Sequence, residues 1–301
     1  MRVIRIAGIL RAGLALAQVP AGVGLSWLLI SNGVGTLAPG ELKFAPLVVH
    51  AQQNPNTLMP DQSAAKAREV IQRAIQALGG ERYLNVRDMT RYARLASFDT
   101  SGDLSGFTKI WDFQLLPDKN RTEYYDKRNI IYAYNGDKGW VMDRAGVEDA
   151  PAAAVEDFLE GMKKDIDVLF RYRMKEEGLV FRYGGPDLLD LKQVEWVEVT
   201  DRDRRQMRIA FDVSTRWPIR AIYSVRDKET RARIQETEYI SNYHSFQGIM
   251  TPKHIARERN GRKVYTAFIE DCQYNTGLAD SLFTRESLEE NYNKLNKKKK
   301  K

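Results

Sequence analysis

The sequence predicts an α+β fold built on one large curved antiparallel sheet. Three observations carry that prediction: many short stretches in which apolar and polar residues alternate, turn residues between them at regular spacing, and two longer stretches of helical periodicity, one opening the domain and one interrupting the strands. The single cysteine, Cys272, leaves no internal disulfide to supply stability, so the domain needs a proper apolar core.

The elements follow in chain order. Residues 54–62 are polar and contain Pro55 and Pro60, the composition of a linker. A helix is expected over 63–78, where Val70, Ile71, Ala74, Ile75 and Leu78 recur at helical spacing. Asp61 or Ser63 can cap its start, and Gly79-Gly80 ends it. Strands are expected over 92–99, 106–116, 121–126, 130–135 and 139–142. In the second of these Phe107, Trp111, Phe113 and Leu115 share one face, and Thr108, Asp112 and Gln114 the other. A long helix is expected over 152–172, with one apolar stripe of Val155, Phe158, Leu159, Met162, Ile166, Leu169 and Phe170. Its acids Glu156, Asp157 and Glu160 come early and its bases Lys163, Arg171 and Arg173 late, which suits the helix dipole. After a Gly-Gly-Pro break at 184–186, further strands are expected over 193–200, 206–213, 219–226, 233–243, 249–258 and 263–271. Met207, Ile209, Phe211 and Val213 alternate there with polar neighbours, and Asn260-Gly261 has hairpin composition.

The stretch Tyr134-Asn135-Gly136-Asp137-Lys138-Gly139-Trp140 poses a choice between an ion- or phosphate-holding loop and a tight reversal. A phosphate loop leads into a helix, whereas here the apolar residues Trp140, Val141 and Met142 follow. An EF-hand loop needs repeated oxygen ligands and a closing Glu, which are missing. Asn-Gly between two apolar runs reads as a hairpin.

The charge of +7 invites a nucleic-acid reading, which its distribution removes. Of 47 basic and 40 acidic residues, ten basic and one acidic lie in residues 1–51 and 294–301, leaving 37 basic against 39 acidic between. The basic balance belongs to the ends, so no nucleic acid is expected. At the start, Arg2 and Arg5 precede a stretch over 12–40 without charge and rich in Ala, Gly, Leu and Val, in character an export signal. Cleavage is expected after Ala51, with Ala15-Leu16-Ala17 as an earlier small-x-small site and an uncleaved anchor over 14–30 as the rival; Gln18, Pro20 and several glycines weaken that rival. The expected organisation is a signal peptide over 1–51, a linker over 52–62, a sheet domain over 63–293 and a Lys-rich tail over 294–301, with the mature protein in the periplasm.

Tests for chemistry find little. After the signal the chain has only His244 and His254, neither with another His or a Cys at ligand spacing, so no metal is expected. No Gly-x-Ser-x-Gly is present, and acidic Glu270 and Asp271 beside Cys272 disfavour a reactive thiolate. Asp165 with Asp167, or Asp201 with Asp203, are acid pairs of a kind common on helix and turn surfaces. No enzyme activity and no cofactor are expected. What stands out is a set of large apolar side chains that a curved sheet crossed by a helix can leave around a cavity.

Several motifs together resemble those of a family. A helix ending Leu78-Gly79-Gly80, the run Leu116-Pro117-Asp118-Lys119-Asn120-Arg121-Thr122-Glu123, the Asn-Gly turn before Trp140, Phe211-Asp212-Val213-Ser214-Thr215, Ile249-Met250-Thr251-Pro252, Tyr274-Asn275 and Leu282-Phe283 resemble, over most of 63–284, the LolA/LolB-like superfamily of periplasmic proteins similar to outer-membrane lipoprotein-sorting proteins. The resemblance implies an incomplete antiparallel β-barrel closed by helices over its concave face, with an apolar cavity for acyl chains. It further implies carriage of a lipid, lipoprotein or other amphiphile in the cell envelope without covalent chemistry, or, as the alternative, an accessory interaction domain of an envelope assembly with a filled core. The expected cavity residues are Trp111, Phe113, Trp140, Phe158, Leu159, Met162, Phe170, Phe211, Trp217 and Tyr223. The expected partners are acyl chains and an envelope protein, and the chain is expected to act as a monomer.

Overall fold

The computed structural model describes residues 57–226 and 232–299. The expected signal, its cleavage site and the anchor alternative lie outside these residues. Among the described residues no helix is long and apolar enough to cross a membrane.

Helix α1 (Pro60–Leu78) starts three residues earlier than expected, with Pro at its first position, where a missing N–H costs nothing. The Gln62 side chain accepts from the Met59 N–H at 3.2 Å, closing the first turn. Gly79 ends the helix at φ 136°, and a Cβ there would meet the Gly248 carbonyl oxygen at 2.9 Å, so the sequence needs glycine at this point. A single turn, α2 (Glu81–Leu84), follows.

The first strand series is β1 (Asp88–Phe98), β2 (Leu104–Leu115), β3 (Lys119–Tyr124), β4 (Ile130–Asn135), β5 (Lys138–Met142) and β6 (Val147–Asp149). The second is β7 (Val180–Leu189), β8 (Lys192–Thr200), β9 (Gln206–Asp212), β10 (Pro218–Arg226), β11 (Arg233–Phe246), β12 (Ile249–Arg259) and β13 (Arg262–Tyr274). All join one antiparallel sheet in the order β6-β5-β4-β3-β2-β1-β13-β12-β11-β10-β9-β8-β7. Each series is a meander of hairpins, and the β1–β13 pairing fuses them. The Asn-Gly stretch is a hairpin, as expected: Asn135 pairs with Lys138, and Gly136 takes φ 59°.

The outer strands β6 and β7 leave the sheet open rather than closed into a barrel. Residues 150–179 must therefore run from one edge to the other. They carry α3 (Ala152–Lys164), α4 (Ile166–Val168) and a π-turn, Leu169–Arg173. The expected single helix breaks at Asp165, which takes the extended conformation and accepts from the Val168 N–H at 3.0 Å, capping a fresh start. Besides the short α2 and β6, two longer elements were not foreseen. The Gly184-Gly185-Pro186 stretch stays inside β7, which an edge strand with a register shift there tolerates. Helix α5 (Arg285–Lys299) takes in part of the expected tail, because Leu288, Tyr292 and Leu295 recur at helical spacing.

Register assigns the faces. On β1, Met89, Arg91 and Ala93 point to the side that packs on α1, here the inner, concave face. Cross-strand partners place Asp112, Thr122, Tyr132 and Val141 on that face with Arg91, and Trp111, Phe113, Arg121, Glu123, Ala133 and Trp140 on the outer one. The main core lies between α1 and the inner face of the second series, where Ile71, Ile75 and Leu78 meet Val197, Ile209, Phe211 and Ala221. Burying each such side chain stabilises by roughly 1.5–3 kcal/mol, as an upper estimate.

Candidate functional site

The two halves of the inner face differ. In the second series it is filled: Val197, Val199, Met207, Ile209, Phe211, Ala221 and Tyr223 are all buried under α1 and under Leu169 and Phe170 of the crossing segment. Across β2 to β5 the inward side chains Ile110, Thr122, Tyr124, Tyr132, Tyr134 and Val141 are only partly buried, and α3 reaches this side at Tyr134. Tyr124 and Tyr132 meet edge to face with centroids 5.7 Å apart. Tyr134 stacks on Phe158 of α3 at 4.5 Å and 9°. Burial, then the neighbouring Tyr132, pushes the Tyr134 phenol up to about 12.

Helix α3 is amphipathic, yet none of its residues is buried. Its apolar stripe is partly buried, and Phe158 in it reaches the open half of the sheet. Polar contacts hold its far end: Glu160 accepts from Arg205 Nε and Nη2, both at 2.8 Å, and Lys164 Nζ donates to Glu236 at 3.0 Å.

Between the two halves lies a polar centre. Arg91 donates to Asp112 Oδ2 through Nε at 3.0 Å and Nη2 at 2.6 Å. Asn120 at 2.7 Å and Thr122 at 3.1 Å donate to Asp112 Oδ1. Desolvation opposes the Arg91 charge, but the Asp112 carboxylate more than offsets it and the guanidinium stays protonated. Further along the same face, Arg257 Nη2 donates to Glu238 at 3.3 Å, and its guanidinium sits 5.3 Å from the centre of the Tyr265 ring. Burial and then the Asp167 charge push Asp165 up to about 6, while the Val168 N–H and Arg91 hold it back. The Tyr223 phenol is raised well above its usual value, chiefly by burial.

The ten expected cavity residues are not brought to one place. Of the α3 residues, Phe158 meets the open half through its stack on Tyr134, and Leu159 and Met162 lie on the same helix, partly buried. Phe170, Phe211, Trp217 and Tyr223 lie on the filled half: the first two rings stack at 6.2 Å, and Trp217 Nε1 donates to the Ala77 carbonyl at 3.2 Å. Trp111, Phe113 and Trp140 face outward, which corrects their expected place in the cavity: the more apolar face of β2 is the outer one. Arg128 lies over the Trp111 and Phe113 rings at 5.4 and 5.7 Å, and Trp140 packs under α5. The inversion has a physical cause, since Asp112 and Gln114 can face inward only because Arg91, Asn120 and Thr122 satisfy Asp112 and it in turn accepts from Gln114 at 3.2 Å.

The inward tyrosines and the polar centre were missed. A usable signal was present: Glu236 and Glu238 sit opposite Arg259 and Arg257 across the hairpin that turns at Gln247-Gly248, so hairpin register alone places these charges on one face. Among the described residues no three His, Cys, Asp or Glu side chains group to hold a metal ion. The arrangement offers binding chemistry: aromatic and apolar surface under a helix, beside fixed hydrogen-bond donors.

This open antiparallel sheet with helices across its inner face is the LolA-like fold. No protein-family model matches the chain, and no curated protein sequence matches it. Among solved structures, a DUF1329 family protein from Desulfovibrio piger is 14% identical, with 74% of this chain and 98% of that one aligned at a TM-score of 0.55. A domain from Vibrio parahaemolyticus, assigned by name to outer membrane lipoprotein sorting, is 15% identical, with 75% and 99% aligned at a TM-score of 0.51. At these identities the likeness is one of fold.

Proposed function

We propose that the protein binds and carries an amphiphile, a lipid or the acyl part of a lipoprotein, in the cell envelope, on the open half of its inner face and without covalent chemistry. The observation that carries this reading is the apolar stripe of α3, which faces a sheet across which it buries none of its residues. A helix whose apolar face is only partly covered by protein leaves room for an apolar ligand, and each acyl CH2 taken from water there stabilises by roughly 0.8 kcal/mol. The fold shared with a domain named for lipoprotein sorting and the signal-like start of the chain both support an envelope location. The site is then Ile110, Tyr124, Tyr132 and Tyr134 below and Phe158, Leu159 and Met162 above, with Phe170, Phe211, Trp217 and Tyr223 as its packed wall. We further place it in a monomer that follows a cleaved signal over 1–51 and the linker at 52–62.

The test is native mass spectrometry of protein exported in a Gram-negative host, followed by organic extraction. Near-stoichiometric acyl chains in the wild type, lost in Met162→Glu while the sheet stays folded by circular dichroism, are the expected result. Equal ligand content in the variant would sink the reading. A clean apo mass, unchanged after incubation with envelope lipids, would instead favour the accessory-domain alternative, to which the filled half of the inner face is suited.

A further inference from the structure

The polar centre contains hydrogen-bond donors with nothing to donate to. Tyr223 is only 3% exposed, yet its hydroxyl has no hydrogen-bond partner, and neither has the buried Nε of Arg257. The two side chains share the inner face. Tyr223 lies opposite Glu236 and Arg257 opposite Glu238, so they flank β11 from either side, near enough for the Arg257 charge to act on the phenol. On the next strand, inward Tyr265 makes its ring contact with Arg257.

Resting on the carriage reading above, we propose that this centre seats the acidic head of the amphiphile, a carboxylate or phosphate, which accepts from Arg257, Tyr223 and Tyr265. An arginine offers donors only, so whatever completes Arg257 must bring an acceptor. A charged acceptor makes the stronger bond. The charges around it are close to balanced, with Arg91, Lys164, Arg257 and Arg259 facing Asp112, Glu236, Glu238 and Asp165, so an acidic head that accepts from these donors does not enter an excess of negative charge. Tyr223 also borders a cavity of about 20 Å³ walled by Lys163 and Lys164 at the end of α3. Leaving a buried hydroxyl unpaired disfavours the folded state, and a ligand that pairs it accounts for its presence.

The experiment titrates the delipidated full chain with three C12 probes, dodecanoate, monododecyl phosphate and 1-dodecanol, by calorimetry. At least one acid is expected to bind about tenfold more tightly than the alcohol, since a hydrogen bond to a charged group is worth at least about that factor. Preference for the carboxylate would point to a fatty-acid head, and preference for the phosphate to a phospholipid. Tyr223→Phe is expected to weaken the acid by about tenfold, leave dodecanol unchanged, and leave the Tm equal or higher, because only an unpaired hydroxyl is removed. Arg257→Gln should weaken the acid similarly, and Tyr223→Phe decides the matter if that variant fails to fold. Acids binding no better than dodecanol, or an unchanged acid affinity in Tyr223→Phe with a water taking up the hydroxyl, would overturn the head-group assignment while leaving carriage intact. Failure of all three probes to bind would overturn the carriage reading and this one with it.

Discussion

If α3 closes the open half of the sheet, it must also let a ligand in, so its attachment should be weak enough to open without unfolding. The contacts allow an estimate. The Phe158–Tyr134 stack contributes about 0.5–1.5 kcal/mol beyond its area. The Glu160–Arg205 pair, 33% and 22% exposed, contributes about 0.2–1 kcal/mol. Lys164–Glu236, at 14% and 13% exposed, adds about 1–2 kcal/mol after desolvation. A total of about 2–4 kcal/mol corresponds to an open population of the order of 0.1–3%. Removing the first two together, in Phe158→Ala/Glu160→Gln, withdraws about 1–2 kcal/mol and should raise that population roughly tenfold. Native-state hydrogen exchange reads it directly: protection of the amides in 156–164 should fall about tenfold while β1, β13 and α1 keep theirs. Exchange of the α3 amides only through global unfolding in the wild type, or loss of protection spread equally over the strands, would refute the hinged-lid reasoning.

Three further outcomes follow from named contacts. The folded Asp165 carboxyl, pushed up to about 6 by burial and by Asp167, titrates above the roughly 3.9 of an unfolded chain, so the stability it contributes is complete below the lower value and is lost as pH rises through the higher. Asp165→Asn keeps a cap for Val168 and should match the wild type near pH ~4 yet be more stable near pH ~8 by up to about 3 kcal/mol; an equal difference at both pH values would count against the shift. Arg121 is 1% exposed and donates to Glu123 and Ser287 at 2.7 Å and to the Leu282 carbonyl at 2.9 Å, so Arg121→Leu should cost about 3–5 kcal/mol in urea unfolding, and a cost under about 1 kcal/mol would show that α5 does not depend on this buried pair. Because Phe113 faces outward and Tyr132 inward, Tyr132→Ala should weaken dodecyl-probe binding about tenfold or more and Phe113→Ala less than about twofold; the reverse order would restore the face assumed from pattern alone.

That face assumption marks where the sequence stops being legible. Strand positions, the Asn-Gly hairpin and the α1 stripe follow from periods of 2 and 3.6, which depend on local geometry alone. The orientation of β2 does not, because alternation tells which residues share a face but not which face is inward. The usual tie-breaker, apolar inside, fails here since Asp112 brings its own partners on the neighbouring strands β1 and β3, and those pairings depend on hairpin register, which alternation within β2 does not contain. The break at Asp165 was hidden for a similar reason. The apolar stripe from Val155 to Phe170 runs unbroken through it, and only the short-range cap on Val168 divides the helix. Helix α5 has so polar a composition that its three apolar contacts are a weak signal, and they matter only because the outer face at Ile131, Ala133 and Met142 needs cover.

The division of the inner face bears on how a ligand could be oriented. An acyl chain gains its roughly 0.8 kcal/mol per CH2 anywhere the surface is apolar, so chain burial alone does not choose a direction. The filled half cannot admit a chain, since α1 and Phe170 already occupy it. The open half offers aromatic faces under α3 and ends at the polar centre, where an alkyl terminus would strand donors and an acidic head would satisfy them. Head-inward entry is therefore the arrangement that leaves fewest buried groups unpaired. It also ties release to α3, whose Lys164 is both the anchor on Glu236 and a wall of the cavity that reaches Tyr223. A partner that lifted the end of α3 would in the same movement separate Lys164 from Glu236 and open the head-group seat to water, where each hydrogen bond to the head competes with solvent and the retained chain is held by its apolar contacts alone.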